Sequence, residues 1–264
     1  MAVDAAAKKM YNTQIADQKK ILADLDKDMA AMKKGMTDNK KLEPYYYLGT
    51  VSRVLRQITL YIDMNTLSER IMKIKNNTYL DTAKRLVNRI FLDMEKVVTL
   101  NLDVSLNHNR EQLDMIKQLD PRQRLNLYKH IKKTIERLIA AYGEGTKWKW
   151  SFPELWGKAA IIGKNLIDFR EIQSKRDPRE EFFYDRQELL NMVKTDLFDA
   201  SNQYRNKFEI STKSSNDLVY AVRLLEDLRR IASMTGDTEL SKKCKSGIDT
   251  YKARLKTADK KKQQ

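Results

Sequence analysis

One cysteine in 264 residues leaves the chain no disulfide to close on itself. Cys244 and two histidines, His108 and His130, are also too few nitrogen and sulfur ligands for a zinc site. No metal centre and no cofactor is therefore expected. Glycine (8) and proline (4) are scarce enough that long helices suit the chain better than a sheet, which would need many turns. No apolar run approaches the roughly 20 residues that a membrane helix requires, so membrane insertion is not expected. Catalytic signatures are missing too: no Gly-rich phosphate loop, nucleophile elbow, His-Glu-x-x-His or Cys-x-x-Cys occurs. Acids alternate with Lys and Arg instead of pairing, and the Glu-x-x-His pairs of a di-iron bundle are absent. The expectation is a protein with no catalytic residues, not an enzyme.

Charge is plentiful: 33% of residues are ionic, with a formal excess of +15. Nucleic acid, acidic surfaces and anionic lipid are all compatible with that excess. Nine Lys/Arg fall between residues 242 and 264 against Asp249 and Asp259, which reads as a solvated face running into a basic, disordered tail over 257–264. A second concentration, Arg122, Arg124, Lys129, Lys132, Lys133 and Arg137, shares one segment and could meet a phosphate backbone. Yet Tyr128 and Ile131 in that segment fit a core stripe, and no nucleic-acid motif accompanies it. His130 reads as a basic-face residue and His108 as a loop residue.

Periodicity supplies the architecture. Tyr11, Ile15, Gln18, Leu22, Leu25, Met29, Met32 and Met36 alternate four and three apart, one seam along a helix of some 30 residues, with Gln18 its only polar member. A helix opening at Pro44 carries Leu48, Val51, Leu55, Ile58 and Ile62, then a shifted stripe of Met64, Leu67, Ile71 and Ile74. After Asn76-Asn77-Thr78, a third helix with the widest stripe (Ala83 to Val98) reads as the buried middle of a bundle. Asp120-Pro121 with Gln123 marks a capped start, and Gly143-Glu144-Gly145 a stop. Ser151 with Glu154 predicts another capping box, and Asp177-Pro178 with Glu180 a further start. Leu218 to Ala232 and Leu240 to Leu255, joined by Thr235-Gly236-Asp237, read as an αα-hairpin. The fold class is all-α: a long-helix bundle or stalk with coiled-coil-like N-terminal helices (1–142), then a region of shorter helices (143–256).

Two aromatic groups are candidate protein-interaction sites. Tyr45, Tyr46 and Tyr47 are consecutive on a helix and cannot all face one core; exposed tyrosine favours interfaces, while two of the three packing between helices is the competing reading. All three tryptophans, Trp148, Trp150 and Trp156, lie within nine residues. Trp-Lys-Trp alternation in an extended segment would show both rings on one side as a partner hot spot. Plugging the core at the joint of two subdomains is the alternative.

This all-helical, cysteine-poor chain, with its Tyr11–Met36 seam, its Tyr45-Tyr46-Tyr47 start and its Trp-rich joint, resembles the flagellar-coiling, or filament sheath, proteins of spirochaetes. The resemblance implies a periplasmic structural subunit that coats a flagellar filament core, contacts sibling sheath proteins and helps impose filament curvature for motility. It carries over no functional residue. Met1-Ala-Val-Asp-Ala-Ala-Ala-Lys lacks the apolar core of a secretory signal, which points to the cytoplasm, although the mature end of an exported protein would read the same way. The alternative is a cytoplasmic helical adaptor or a nucleic-acid-associated basic protein.

Overall fold

A computed structural model describes residues 4–36, 40–102, 108–143 and 145–262. Among these residues it holds eleven α-helices and no strand, so the fold is all-α. The helices are α1 (Ala5–Gln14), α2 (Ala16–Gly35), α3 (Glu43–Met72), α4 (Asn77–Val98), α5 (His108–Met115), α6 (Pro121–Tyr142), α7 (Phe152–Asn165), α8 (Phe169–Ser174), α9 (Phe183–Lys207), α10 (Ser215–Met234) and α11 (Thr238–Lys262). They form two compact units: residues 1–97 with 129–146, and residues 98–128 with 147–264. The division is discontinuous, unlike the single boundary near residue 142 that composition suggested.

In the first unit the Tyr11–Met36 seam finds its partner in α3. Tyr11, Ile15 and Leu22 pack into one buried cluster with Leu60 and Met64, flanked by Leu25, Tyr61, Leu67, Ile71 and Tyr79. Each such aliphatic side chain removed from water contributes about 1.5–3 kcal/mol. The seam is two helices rather than one, bent at Ile15, but the hydrogen-bond ladder continues there: Ile15 N–H donates to Tyr11 O at 3.1 Å, and Lys19 N–H to Ile15 O at 3.0 Å. The Tyr11 hydroxyl donates to Met64 O at 3.3 Å, and Gln57 Nε2 to Asp26 Oδ1 at 2.7 Å, which pins the register of both N-terminal helices on α3.

Helix α3, not α4, is the more enclosed element. Val51, Val54, Leu55, Gln57, Ile58, Leu60, Ile62, Met64, Asn65 and Ser68 are buried around most of its circumference. The stripe shift that begins at Met64 is how one helix faces several neighbours. Helix α4 buries Leu80, Ala83, Val87, Ile90, Phe91, Asp93, Met94, Val97 and Val98 along a narrower arc, and leaves Leu92 60% exposed. The shifted stripe stops short of Ile74, because α3 ends at Met72 with Lys73 in the left-handed region (φ 56°) and Ile74 is exposed. Two buried polar side chains of α3 hold the turn: Asn65 Oδ1 accepts from Asn76 N–H at 2.7 Å, and Ser68 Oγ donates to Ile74 O at 2.7 Å.

The start of α6 is a full capping box. Asp120 Oδ1 accepts from Gln123 N–H at 2.8 Å while Gln123 Oε1 accepts from Asp120 N–H at 3.0 Å. Gly143, at φ +75°, ends that helix and donates its N–H to Ile139 O at 3.1 Å. The box expected at Ser151 does not form. A 3₁₀ turn, Lys149–Ser151, precedes α7, and Ser151 Oγ donates to Trp148 O at 2.7 Å instead. At Asp177-Pro178 the cap makes only a turn, because Phe182 at φ 58° interrupts the chain before α9 begins at Phe183.

The second unit is built around α7, whose residues 159–165 are all buried. A helix buried on every side leaves its polar members no route to water, and Lys164 and Asn165 are such members. Lys164 Nζ donates to Asp227 Oδ2 of α10 at 2.7 Å and to Leu102 O at 3.0 Å. Asn165 Nδ2 donates to Thr99 O at 2.9 Å, and its Oδ1 accepts from Asn109 Nδ2 at 3.0 Å. These bonds hold Thr99, Leu102 and Asn109 against α7, which ties the 98–128 segment to this unit. Close packing does the rest. The ring of fully buried Tyr128 lies so near Gly163 that a Cβ there would sit 2.6 Å from it, and the Tyr128 hydroxyl donates to Asp196 Oδ2 at 2.7 Å.

The C-terminal region mixes lengths. Helices α7 and α8 have 14 and 6 residues, but α9, α10 and α11 have 25, 20 and 25. The αα-hairpin is present, with Gly236 at φ +76° and Asp237 N–H donating to Ala232 O at 2.8 Å. Expected to be a disordered tail, residues 257–262 instead continue α11 to Lys262; residues 263 and 264 lie outside the described residues.

Two stability changes follow. Lys164→Met alone should cost about 1–3 kcal/mol in urea unfolding, because it removes the buried partner of Asp227 and leaves that carboxylate to the half-exposed Arg230 alone, and K164M/D227L should recover most of the loss. Gly163→Ala should be net destabilising: overpacking against Tyr128 costs about 1–3 kcal/mol against roughly 1 kcal/mol gained in helix propensity.

Candidate functional site

The aromatic candidates fall into separate units. Tyr45, Tyr46 and Tyr47 occupy the first turn of α3, opened by buried Pro44, and all three are half-buried. Tyr46 and Tyr47 stack edge to face with centroids 5.4 Å apart, and the Tyr47 hydroxyl donates to Glu43 Oε1 at 3.4 Å. Desolvation, and then the Glu43 carboxylate, raise the Tyr47 phenol above its ordinary value. The rings are thus held in place while part of each faces solvent.

The tryptophans belong to the second unit, and here the extended-segment geometry does not hold. Residues 147–151 form a tight turn running into a 3₁₀ turn, so Trp148 and Trp150 are about 120° apart around its axis rather than on one side. Each instead carries its own neighbouring cation, with Lys147 Nζ 5.1 Å from the Trp148 ring and Lys149 Nζ 5.7 Å from the Trp150 ring. Both rings and Trp156 on α7 are half-buried. The segment therefore combines an apolar anchor into its own unit with a partly solvated cation–aromatic surface.

The basic segment of α6 is not one phosphate-facing row. Arg122 pairs with Asp185 at 3.2 Å, Arg124 is buried and donates to Leu119 O at 2.8 Å, and Arg137 pairs with Asp63 at 2.7 Å. Its residues are also divided between the two units, at Tyr128 and Lys129. His130 is exposed, as read; His108 opens α5 rather than lying in a loop, and its side chain is outside the described residues. Among the described residues no group of three or more His, Cys, Asp or Glu could hold a metal ion, and no helix is long and apolar enough to cross a membrane. Cys244 is fully buried, and burial pushes its thiol up to about 11.

Sequence reading missed the buried polar group Asn109, Lys164, Asn165 and Asp227. A signal was available: Lys164-Asn165 interrupts an apolar run from Ala159 to Ile167 in which neither residue has an exposed face to occupy.

A family model, described as the TP0443 family, matches residues 7–259. The chain belongs to the TP0443 family. The match spans both units, so the aromatic groups and α2 to α10, with all but the outer ends of α1 and α11, lie within the part that the TP0443 family model covers. No curated protein and no solved structure matches the chain.

The state of Cys244 is directly measurable. A thiol-reactive dye such as DTNB should leave the native protein unlabelled at neutral pH and label one thiol per chain once urea unfolds it. Rapid labelling of the native state would show that α11 opens from its unit.

Proposed function

We propose that the chain is a non-catalytic structural subunit of a larger filamentous assembly. In its sharpest form this is a periplasmic flagellar filament sheath or coiling protein that contacts sibling sheath and core filament subunits and helps set filament curvature and motility. The observation that carries the reading is the Tyr45–Tyr47 turn of α3. Three half-exposed phenols, two of them locked edge to face, offer large amphipathic contact area at little cost in side-chain entropy, which is the composition of protein interfaces. The partly solvated Trp148 and Trp150 supply a second surface of the same chemistry in the other unit. Such aromatic anchors dominate interface energetics when a partner covers them.

Gene replacement tests this. Deleting the gene should change the shape or stiffness of the flagellar filament and impair motility, and complementation with Y45S/Y46S should restore the protein level but not the wild-type shape. Filament geometry and swimming indistinguishable from wild type in the deletion strain would overturn the proposal.

A further inference from the structure

Within the first unit, α3 and α6 face each other across a cleft of about 360 Å³. One wall is Ser52, Leu55, Arg56 and Thr59 on α3; the other is His130, Lys133, Thr134 and Arg137 on α6. The spacing explains the juxtaposition. Positions 52, 56 and 59, and positions 130, 133, 134 and 137, each follow the three-and-four steps that put residues on one face of a helix. Leu55 and Ile58 on α3 and Ile131 and Ile135 on α6 are buried, which turns the polar face of each helix to the edge of the packing.

The lining holds three permanent cations and a histidine but no carboxylate. Elsewhere some helix cations find an acid one turn away, as Lys158 does with Glu154 at 2.7 Å, Lys175 with Glu171 at 3.0 Å and Arg89 with Asp93 at 2.9 Å. Here Asp63, one turn beyond Thr59, takes Arg137 alone. Among the described residues Arg56 and Lys133 have no hydrogen-bond or ion-pair partner, nor do the hydroxyls of Ser52 and Thr134. On the same α3 face Thr59 Oγ1 donates to Leu55 O at 3.1 Å, and Arg137 neutralises Asp63, so neither adds a negative group. Like charges on two walls of a concave site reinforce one positive potential.

We propose that this cleft binds a phosphate group. A guanidinium fork and an ammonium, flanked by hydroxyl donors from opposing walls, match a tetrahedral anion whose oxygens point in several directions, and such charge-assisted bonds are the strong ones. A single carboxylate would satisfy one arginine and leave the other wall unused. The volume lies at the lower end of the range for small-molecule sites, enough for a phosphate monoester whose short organic part rests on Leu55 and the arginine stem. A free phosphate ester and a phospholipid headgroup share this chemistry. The site is independent of the aromatic surfaces and of assembly, because its donors all lie in the cleft.

Isothermal titration calorimetry on the full chain decides it, with inorganic phosphate and glycerol phosphate as soluble probes. Flotation with phosphatidylcholine vesicles doped with phosphatidic acid supplies the lipid probe. The wild-type chain should bind at least one probe saturably, and R56A/K133A should weaken that binding about tenfold or more, since both charge-assisted bonds are lost. K245A/K256A removes the same charge from exposed positions on α11 and should leave binding unchanged. Binding of vesicles without soluble esters would support the site and identify a headgroup as its source; soluble binding alone would identify a free ester. No saturable binding of any probe, equal loss in both double variants, or an unaffected R56A/K133A would each overturn the proposal. Circular dichroism of R56A/K133A guards against misfolding, which its exposed side chains do not predict.

Discussion

Lys164 and Asp227 face one another at 2.7 Å with their side chains 3% and 2% exposed, and the second unit is arranged so that neither can leave the other. A buried ion pair contributes little net stability, because desolvation offsets most of the attraction, but any packing that separates the two leaves a naked charge in the interior. The pair therefore acts on register. It fixes which turn of α10 meets the C-terminal end of α7. Through the Leu102 carbonyl, which accepts from both Lys164 and Arg230, it also fixes where the chain passes after α4. Asn165 repeats the device on the Thr99 carbonyl and the Asn109 side chain, which ties both residues to α7.

That device separates what the sequence could tell from what it could not. The Tyr11–Met36 seam, the α3 stripe, the Asp120 box and the Gly236 hairpin were all legible, because each depends on neighbours three or four residues away on one helix. Burial of Tyr11, Ile15, Leu22, Val193 and Leu197 on the expected faces is the same local information seen in three dimensions. The failures have a different origin. Ser151 lost its cap to a local 3₁₀ turn with an equally good acceptor, Trp148 O. Phe182 takes a left-handed backbone that no propensity for phenylalanine announces. The assignment of residues 98–128 depends on partners about sixty positions away, which periodicity does not register. The site was legible in type only: rows of Tyr and Trp marked contact chemistry, but the helical turn geometry decided which rings share a side.

The half-buried aromatics and the phosphate-sized cleft illustrate two ways in which a helical surface becomes specific. At Tyr46 and Tyr47, rigidity comes from ring against ring and from Glu43, so a partner meeting them need not order them first. At Arg56 and Lys133, specificity comes from two unanswered cations set on facing walls of one cleft. Both devices use residues on the rims of helix stripes, where one side of each residue is fixed by the core.

The partition of the aromatic residues makes the two units optically distinct. Every tryptophan lies in the second unit, whereas the first carries seven of the twelve tyrosines (Tyr11, Tyr45, Tyr46, Tyr47, Tyr61, Tyr79 and Tyr142) and no indole. Emission excited at the red edge, where phenols do not absorb, thus belongs to one unit alone. The native chain carries a built-in probe of half of itself, and the other half is silent to it.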